Sequence, residues 1–121
     1  LPSNMAPSVA RRPTTVLAVG SPGADRISTA LQQFFINYLS FEMPLEEAIA
    51  HPRLHVDTSG DPIKLMAEPG LALPDVDLPV TVFPDSVMYF GGVGAAVFDK
   101  SKGFDAAADP RREGGVYVPL A

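Results

Sequence analysis

The sequence contains no cysteine and no tryptophan, and its only histidines are His51 and His55. Without thiols there can be no disulfide frame, no cysteine nucleophile and no cysteine-ligated zinc, and two histidines are too few for a His-rich metal centre. Neither a metal nor a cofactor is expected. No apolar run approaches the roughly 20 residues that span a bilayer, so membrane insertion is not expected. The start, Leu1-Pro2-Ser3-Asn4, lacks a basic region followed by an apolar one and carries no visible address. Basic residues are in the minority: nine Lys and Arg against fourteen Asp and Glu leave a formal charge of −5, and apart from pairs such as Arg11-Arg12 and Arg111-Arg112 they are scattered. That distribution argues against nucleic acid as a partner.

What is present is 121 residues, 46% hydrophobic and 19% charged, enough to bury one modest core but hardly two domains. A chain that opens on Leu1 and runs almost directly into patterned sequence is expected to be a piece of something longer, so residues 1–121 are taken as a single, incomplete domain. Thirteen Pro and ten Gly stand between periodic segments and act as punctuation. Met5 to Ala10, the turn Arg11-Arg12-Pro13 and the β-branched stretch Thr14 to Val19 predict a β-hairpin closed by Gly20. Ile27, Leu31, Phe34, Phe35, Tyr38 and Leu39 recur at the spacing of one helical face, with Arg26, Ser28, Thr29, Gln32, Gln33 and Asn37 on the other side. A second, short helix is expected from Pro44 to Ala50, stopped by Pro52. Strands follow at Arg53–Asp57, Ile63–Ala67 and Val80–Phe83, with Glu68 to Pro79 irregular, then a hairpin of Val93–Asp99 and Phe104–Ala108. The order predicts an α+β fold, with one long and one short helix layered on a largely antiparallel sheet.

Three groups of residues invite a chemical reading. Gly20-Ser21-Pro22-Gly23-Ala24-Asp25-Arg26 leaves a strand and enters a helix, whose first N–H groups have no internal partner and favour negative charge. As a phosphate loop it fails, since no Lys followed by Ser or Thr ends it and Asp25 would repel a phosphate; a plain strand-to-helix turn is the other reading. Thr14 and Thr15 are unsuited as nucleophiles: a threonine activated by its own α-amine must open its chain, and Leu1, which does, has no hydroxyl. His51 and His55 are separated by Pro52, which breaks the helix that would align them. They are expected as a helix C-terminal residue and a hydrogen-bonded sheet side chain. The charges of Asp109-Pro110-Arg111-Arg112-Glu113-Gly114 would ordinarily make a solvated turn with weak surface pairs, buried pairing of Asp109 or Arg111 being the alternative.

Ser3-Asn4-Met5-Ala6-Pro7, Gly20 to Ile27, Glu47-Ala48 with Pro52-Arg53-Leu54-His55, and Asp109 to Gly114 resemble, in order and spacing, landmarks of the γ-glutamyltranspeptidase small subunit. The resemblance covers nearly the whole chain, weakens between about Gly70 and Gly91, and corresponds to the C-terminal part of that subunit. It implies an N-terminal nucleophile hydrolase, an αββα sandwich matured by self-cleavage that exposes a threonine lying outside this chain. In such enzymes the threonine takes the γ-glutamyl group of a donor such as glutathione and passes it to water, an amino acid or a peptide. Carried over residue by residue, the N–H groups of Gly23 and Ala24 would form the oxyanion hole, and Ser3 and Asn4 would hold the donor's α-carboxylate. Asn4 stands where a serine is usual and Ala24 where a second glycine is common, which leaves room for a related acylase or polyglutamate-cleaving relative. The implied partners are the large subunit and the rest of the small one; the location implied is periplasmic or extracellular. Alone, the piece would be inactive and would expose apolar faces prone to self-association. The competing reading is a non-enzymatic, degenerate or partner-binding module.

Overall fold

The structure, a computed structural model, describes residues 5–119. β1 (Ser8–Arg11) and β2 (Thr15–Gly20) form the expected hairpin, and β6 (Gly94–Asp99) and β7 (Gly103–Ala108) the second one. The two hairpins join antiparallel through β2 and β6 into one sheet of order β1-β2-β6-β7, with Leu17 opposite Val97 and Val19 opposite Ala95. A smaller sheet holds β3 (Leu54–Asp57), β4 (Lys64–Ala67) and β5 (Val80–Val82), antiparallel between β3 and β4 and parallel between β4 and β5. The fold is α+β and mostly antiparallel, as the order of elements predicts.

Side-chain alternation decides what each face of the larger sheet does. Leu17, Val19, Ala95, Val97 and Ala107 point to one side and pack against α1 (Ile27–Phe35) and α2 (Leu45–Ala50) through Ile27, Leu31, Phe34, Leu45, Ala48 and Ile49. Burying a residue such as Phe34 contributes about 1.5–3 kcal/mol. The opposite face carries Val9, Ala18 and Ala96 in one cross-strand row and Val16, Phe98 and Phe104 in the next. Val9 is 70% and Phe104 60% exposed, and the Phe98 and Phe104 rings touch at a centroid distance of 4.8 Å.

The long helix departs from its predicted periodicity near its end. Past Phe35 the coil widens over Ile36–Ser40, where the Phe41 N–H reaches back five residues to the Ile36 carbonyl at 3.0 Å. One extra residue in a turn rotates the phase of every residue beyond it. Asn37, expected on the wet side, shares the face of the buried Ala30 seven residues before it and is buried, donating to the Ala48 carbonyl at 3.4 Å, whereas Leu39, within the widened turn and expected on the apolar side, is 37% exposed. α2 begins one residue later than predicted, with Pro44 just outside it in an extended conformation, and ends at Ala50, with His51 as its extended C-cap ahead of Pro52. No helix among the described residues is long and apolar enough to cross a membrane.

Candidate functional site

The loop from Gly20 to Arg26 is set by the end of β2 on one side and the start of α1 on the other. Its first anchor is the N-terminal arm: the Ser21 N–H donates to the Met5 carbonyl at 2.9 Å. Met5 is the residue after Asn4, whereas Ser3 and Asn4 themselves lie outside the described residues. The loop then closes through a short turn over Ala24–Arg26, with the Arg26 N–H donating to the Gly23 carbonyl at 3.0 Å.

Gly23 has φ 136° and ψ 13°. Since ψ is the torsion between successive backbone nitrogens, a value near zero sets the nitrogens of Gly23 and Ala24 on the same side of the chain, the arrangement that makes successive N–H groups an anion nest. Neither N–H has an internal acceptor among the described residues. Only glycine enters the Gly23 conformation freely. Ala24 follows at φ 52°, in the left-handed region where a Cβ costs on the order of 1–2 kcal/mol. Ala24→Gly is accordingly expected to stabilise the protein by about 0.5–1 kcal/mol after glycine's larger unfolded-state entropy is subtracted. A lowered melting temperature for that variant would refute the strain.

A second segment backs this loop. Residues Met88–Phe90 form a 3₁₀ turn that leads into Gly91 and Gly92. Arg26 Nε donates to the Tyr89 carbonyl at 2.9 Å while its guanidinium lies 4.5 Å from the Tyr89 ring centroid, a cation–π arrangement. The Ser21 hydroxyl donates to the Pro22 carbonyl at 2.8 Å and accepts the Gly92 N–H at 3.1 Å. Gly91 packs so closely on Gly23 that a Cβ on Gly23 would lie 3.2 Å from the Gly91 Cα.

Behind that segment lies a buried quartet of charges: Arg53, Glu68, Asp109 and Arg111, none more than 6% exposed. Asp109 Oδ2 accepts from Arg53 Nη2 and from the Val93 N–H, both at 2.8 Å; Oδ1 accepts from the Arg111 backbone and Nη1, both at 3.0 Å. Arg111 also grips Glu68 through Nε, at 2.8 Å, and Nη2. The remaining guanidinium protons go to the carbonyls of Ile49, His51 and Phe90. Burial lowers the pKa of Arg53 in spite of Asp109; burial opposes the charge of Arg111 too, but its bonds to Glu68 and attraction to Asp109 raise its pKa. Both stay charged. Asp109 and Arg111 thus take the buried alternative and not the solvated turn, although Arg112 and Glu113 remain exposed. Glu68 and Ser21 had no role in the sequence reading. For Glu68 the signal was a lone carboxylate directly after the apolar strand Leu65-Met66-Ala67.

The histidines sit apart from each other in role. His51 is the C-cap of α2, and His55 on β3 shares a 2.7 Å hydrogen bond with Thr29 of α1. Burial and the nearby Arg26 depress the pKa of His55. Among the described residues no three His, Asp or Glu side chains cluster as a metal site would require. A groove of about 610 Å³ lies at the Thr15 and Asp99 end of the larger sheet, roughly 17 Å of strand from Gly20, so it does not include the loop.

A family model described as Gamma-glutamyltranspeptidase matches residues 1–118. The chain belongs to the gamma-glutamyltranspeptidase family. A glutathione hydrolase proenzyme of Pseudomonas aeruginosa is 44% identical over 54 residues, covering 44% of this chain and 10% of that protein. The transpeptidase of Bacillus anthracis aligns at a TM-score of 0.79 with 25% identity, over 95% of this chain and 70% of that one. The gamma-glutamyltranspeptidase of Pseudomonas nitroreducens, solved with L-DON, aligns at 0.76 with 27% identity, over 98% of this chain and 63% of that one. The match thus spans about a tenth of the curated relative's length. Members of the gamma-glutamyltranspeptidase family are N-terminal nucleophile hydrolases, and the mixed, mostly antiparallel architecture of this chain is theirs.

Proposed function

We propose that this chain is the C-terminal part of a gamma-glutamyltranspeptidase small subunit and supplies the oxyanion hole and part of the donor carboxylate site, while the threonine nucleophile is carried outside it. The observation that carries this reading is the pair of N–H groups of Gly23 and Ala24, held on one side of the chain without internal acceptors among the described residues. When the threonine hydroxyl adds to the γ-carbonyl of the donor, the carbonyl oxygen becomes an alkoxide. Preorganised donors aimed at that oxygen lower the barrier because they need no reorganisation as the charge develops. Collapse of the adduct expels the amine, which leaves with the proton given up by the threonine hydroxyl, and leaves the γ-glutamyl ester, from which water or an amine takes the acyl group in a second, mirror-image step that returns a proton to the threonine oxygen and uses the same two N–H groups.

The docking of Met5 on Ser21 supports a donor-carboxylate role for Ser3 and Asn4, which immediately precede it. The open face bearing Val9, Val16, Phe98 and Phe104 suits the second sheet of the sandwich, contributed by the large subunit and the rest of the small one. The donor is a γ-glutamyl amide such as glutathione, and the isolated piece has no activity because it has no nucleophile.

The test replaces Ala24 by lactic acid in the full-length protein, turning the Gly23–Ala24 amide into an ester: the Ala24 N–H is removed, and the Gly23 carbonyl stays in place as a weaker acceptor for the Arg26 N–H. Release of p-nitroaniline from a γ-glutamyl anilide is expected to slow by about 10²–10³-fold in kcat, with KM little changed. An unchanged kcat would overturn the assignment of these amides.

A further inference from the structure

We infer that the segment Tyr89–Val93 is a brace that holds the Gly23–Ala24 amides in place, with Ser21 as its positioning residue and the Arg53–Asp109 pair as its anchor. The inference rests on the oxyanion reading for its catalytic consequence, but the brace itself stands on separate contacts. On its outer side the segment is tied to the loop at three residues. The Tyr89 carbonyl takes Arg26 Nε, Gly91 meets Gly23 backbone to backbone, and the Gly92 N–H takes the Ser21 hydroxyl. On its inner side it is tied to the buried charges at two positions. The Phe90 carbonyl accepts Arg53 Nη1 at 2.8 Å and the Val93 N–H donates to Asp109 Oδ2 at 2.8 Å.

Asp109 Oδ2 therefore holds Arg53 and the Val93 amide at once, so the pair cannot shift without carrying the segment with it. Ser21 is fully buried, and its hydroxyl spends its proton on Pro22 and a lone pair on Gly92. Its side chain thus fixes the peptide just before Gly23 against the brace. Displacements well under the length of a bond at such a site change rates, because donors must sit where the oxyanion forms. Ser21 touches no reacting atom in this scheme; it acts through the backbone that follows it.

The test uses Ser21→Ala in the full-length protein with a γ-glutamyl p-nitroanilide as the probe. kcat is expected to fall about tenfold or more while KM stays within about twofold. Amide hydrogen exchange over residues 20–26 should quicken, with that of α2 unchanged. Combined with the Ala24 ester, Ser21→Ala should cost less than it does alone, because the part of its effect that passes through the Ala24 amide is already removed while the part that passes through the Gly23 N–H remains. Fully additive losses would overturn the positioning role, as would a wild-type kcat. Unchanged exchange over residues 20–26 would overturn the brace even if the ester showed that the amides are not used. Should Ser21→Ala fail to fold, Arg26→Met, which keeps an unbranched stem but has no donor for the Tyr89 carbonyl, takes its place: the same losses are expected, and a wild-type kcat or unchanged exchange would again overturn the inference.

Discussion

Asp109→Ala is expected to destabilise the protein by about 3–5 kcal/mol, the cost of leaving buried charge without its partner. The quartet is neutral as it stands, with Arg53 and Arg111 balanced by Glu68 and Asp109. Removing one carboxylate leaves two guanidiniums and one acid in a space from which water is excluded, and strips acceptors from the Val93 and Arg111 backbone N–H groups as well. A buried ion pair of this kind is weak evidence of net stability, since the desolvation of four charges offsets much of their attraction. Its partial removal is nonetheless severe. Denaturant unfolding of the variant checks the magnitude. The double variant Arg53→Met with Asp109→Ala restores neutrality, so it should lose less than the two single losses added together. A single loss below about 1 kcal/mol, the scale of an exposed pair, would show that the quartet is solvated.

Gly91→Ala is expected to cost about 2–5 kcal/mol, from left-handed backbone strain of about 1–2 kcal/mol and overpacking of about 1–3 kcal/mol. Gly91 has φ 91° and its absent Cβ would stand 2.8 Å from the Ser21 hydroxyl, 3.1 Å from the Ala30 Cβ and 3.2 Å from the Pro22 carbonyl oxygen. None of these neighbours is the free end of a long side chain, so relief requires the loop to move off the brace. The control is Gly94→Ala, whose added Cβ would meet nothing within 4 Å and which should change stability by no more than about 0.5 kcal/mol. Equal melting temperatures for Gly91→Ala and Gly94→Ala would refute the close packing of Gly91 on the loop.

Most of the local structure was legible because it rests on neighbours in sequence. The β-branched run before Gly20, the helical spacing from Ile27 and the proline stop after α2 each specify an element through short-range sterics and burial periodicity. The widened turn at Ile36–Ser40 was not legible in this way, since it answers to α2: the Asn37 amide reaches Ala48, eleven residues on. The same holds for the turn at Met88–Phe90, which has no periodic pattern of its own and is held by Arg26 and Arg53 from two other elements.

The site divides along the same line. Gly23 and Ala24 stand out in the sequence because a glycine-punctuated exit from a strand into a helix leaves N–H groups without partners. Their residue types say nothing of whether Ala24 adopts the left-handed conformation that it has. The sequence by itself determined an α+β fold without thiol chemistry, and the family through four ordered landmarks. Only the tertiary structure decided that Asp109 and Arg111 leave solvent to join Arg53 and Glu68, and that Ser21 meets Gly92. Contacts between residues as far apart as 43 and 71 positions depend on how the two sheets and the helices stack, and stacking is a property of the whole chain's burial, not of any local pattern.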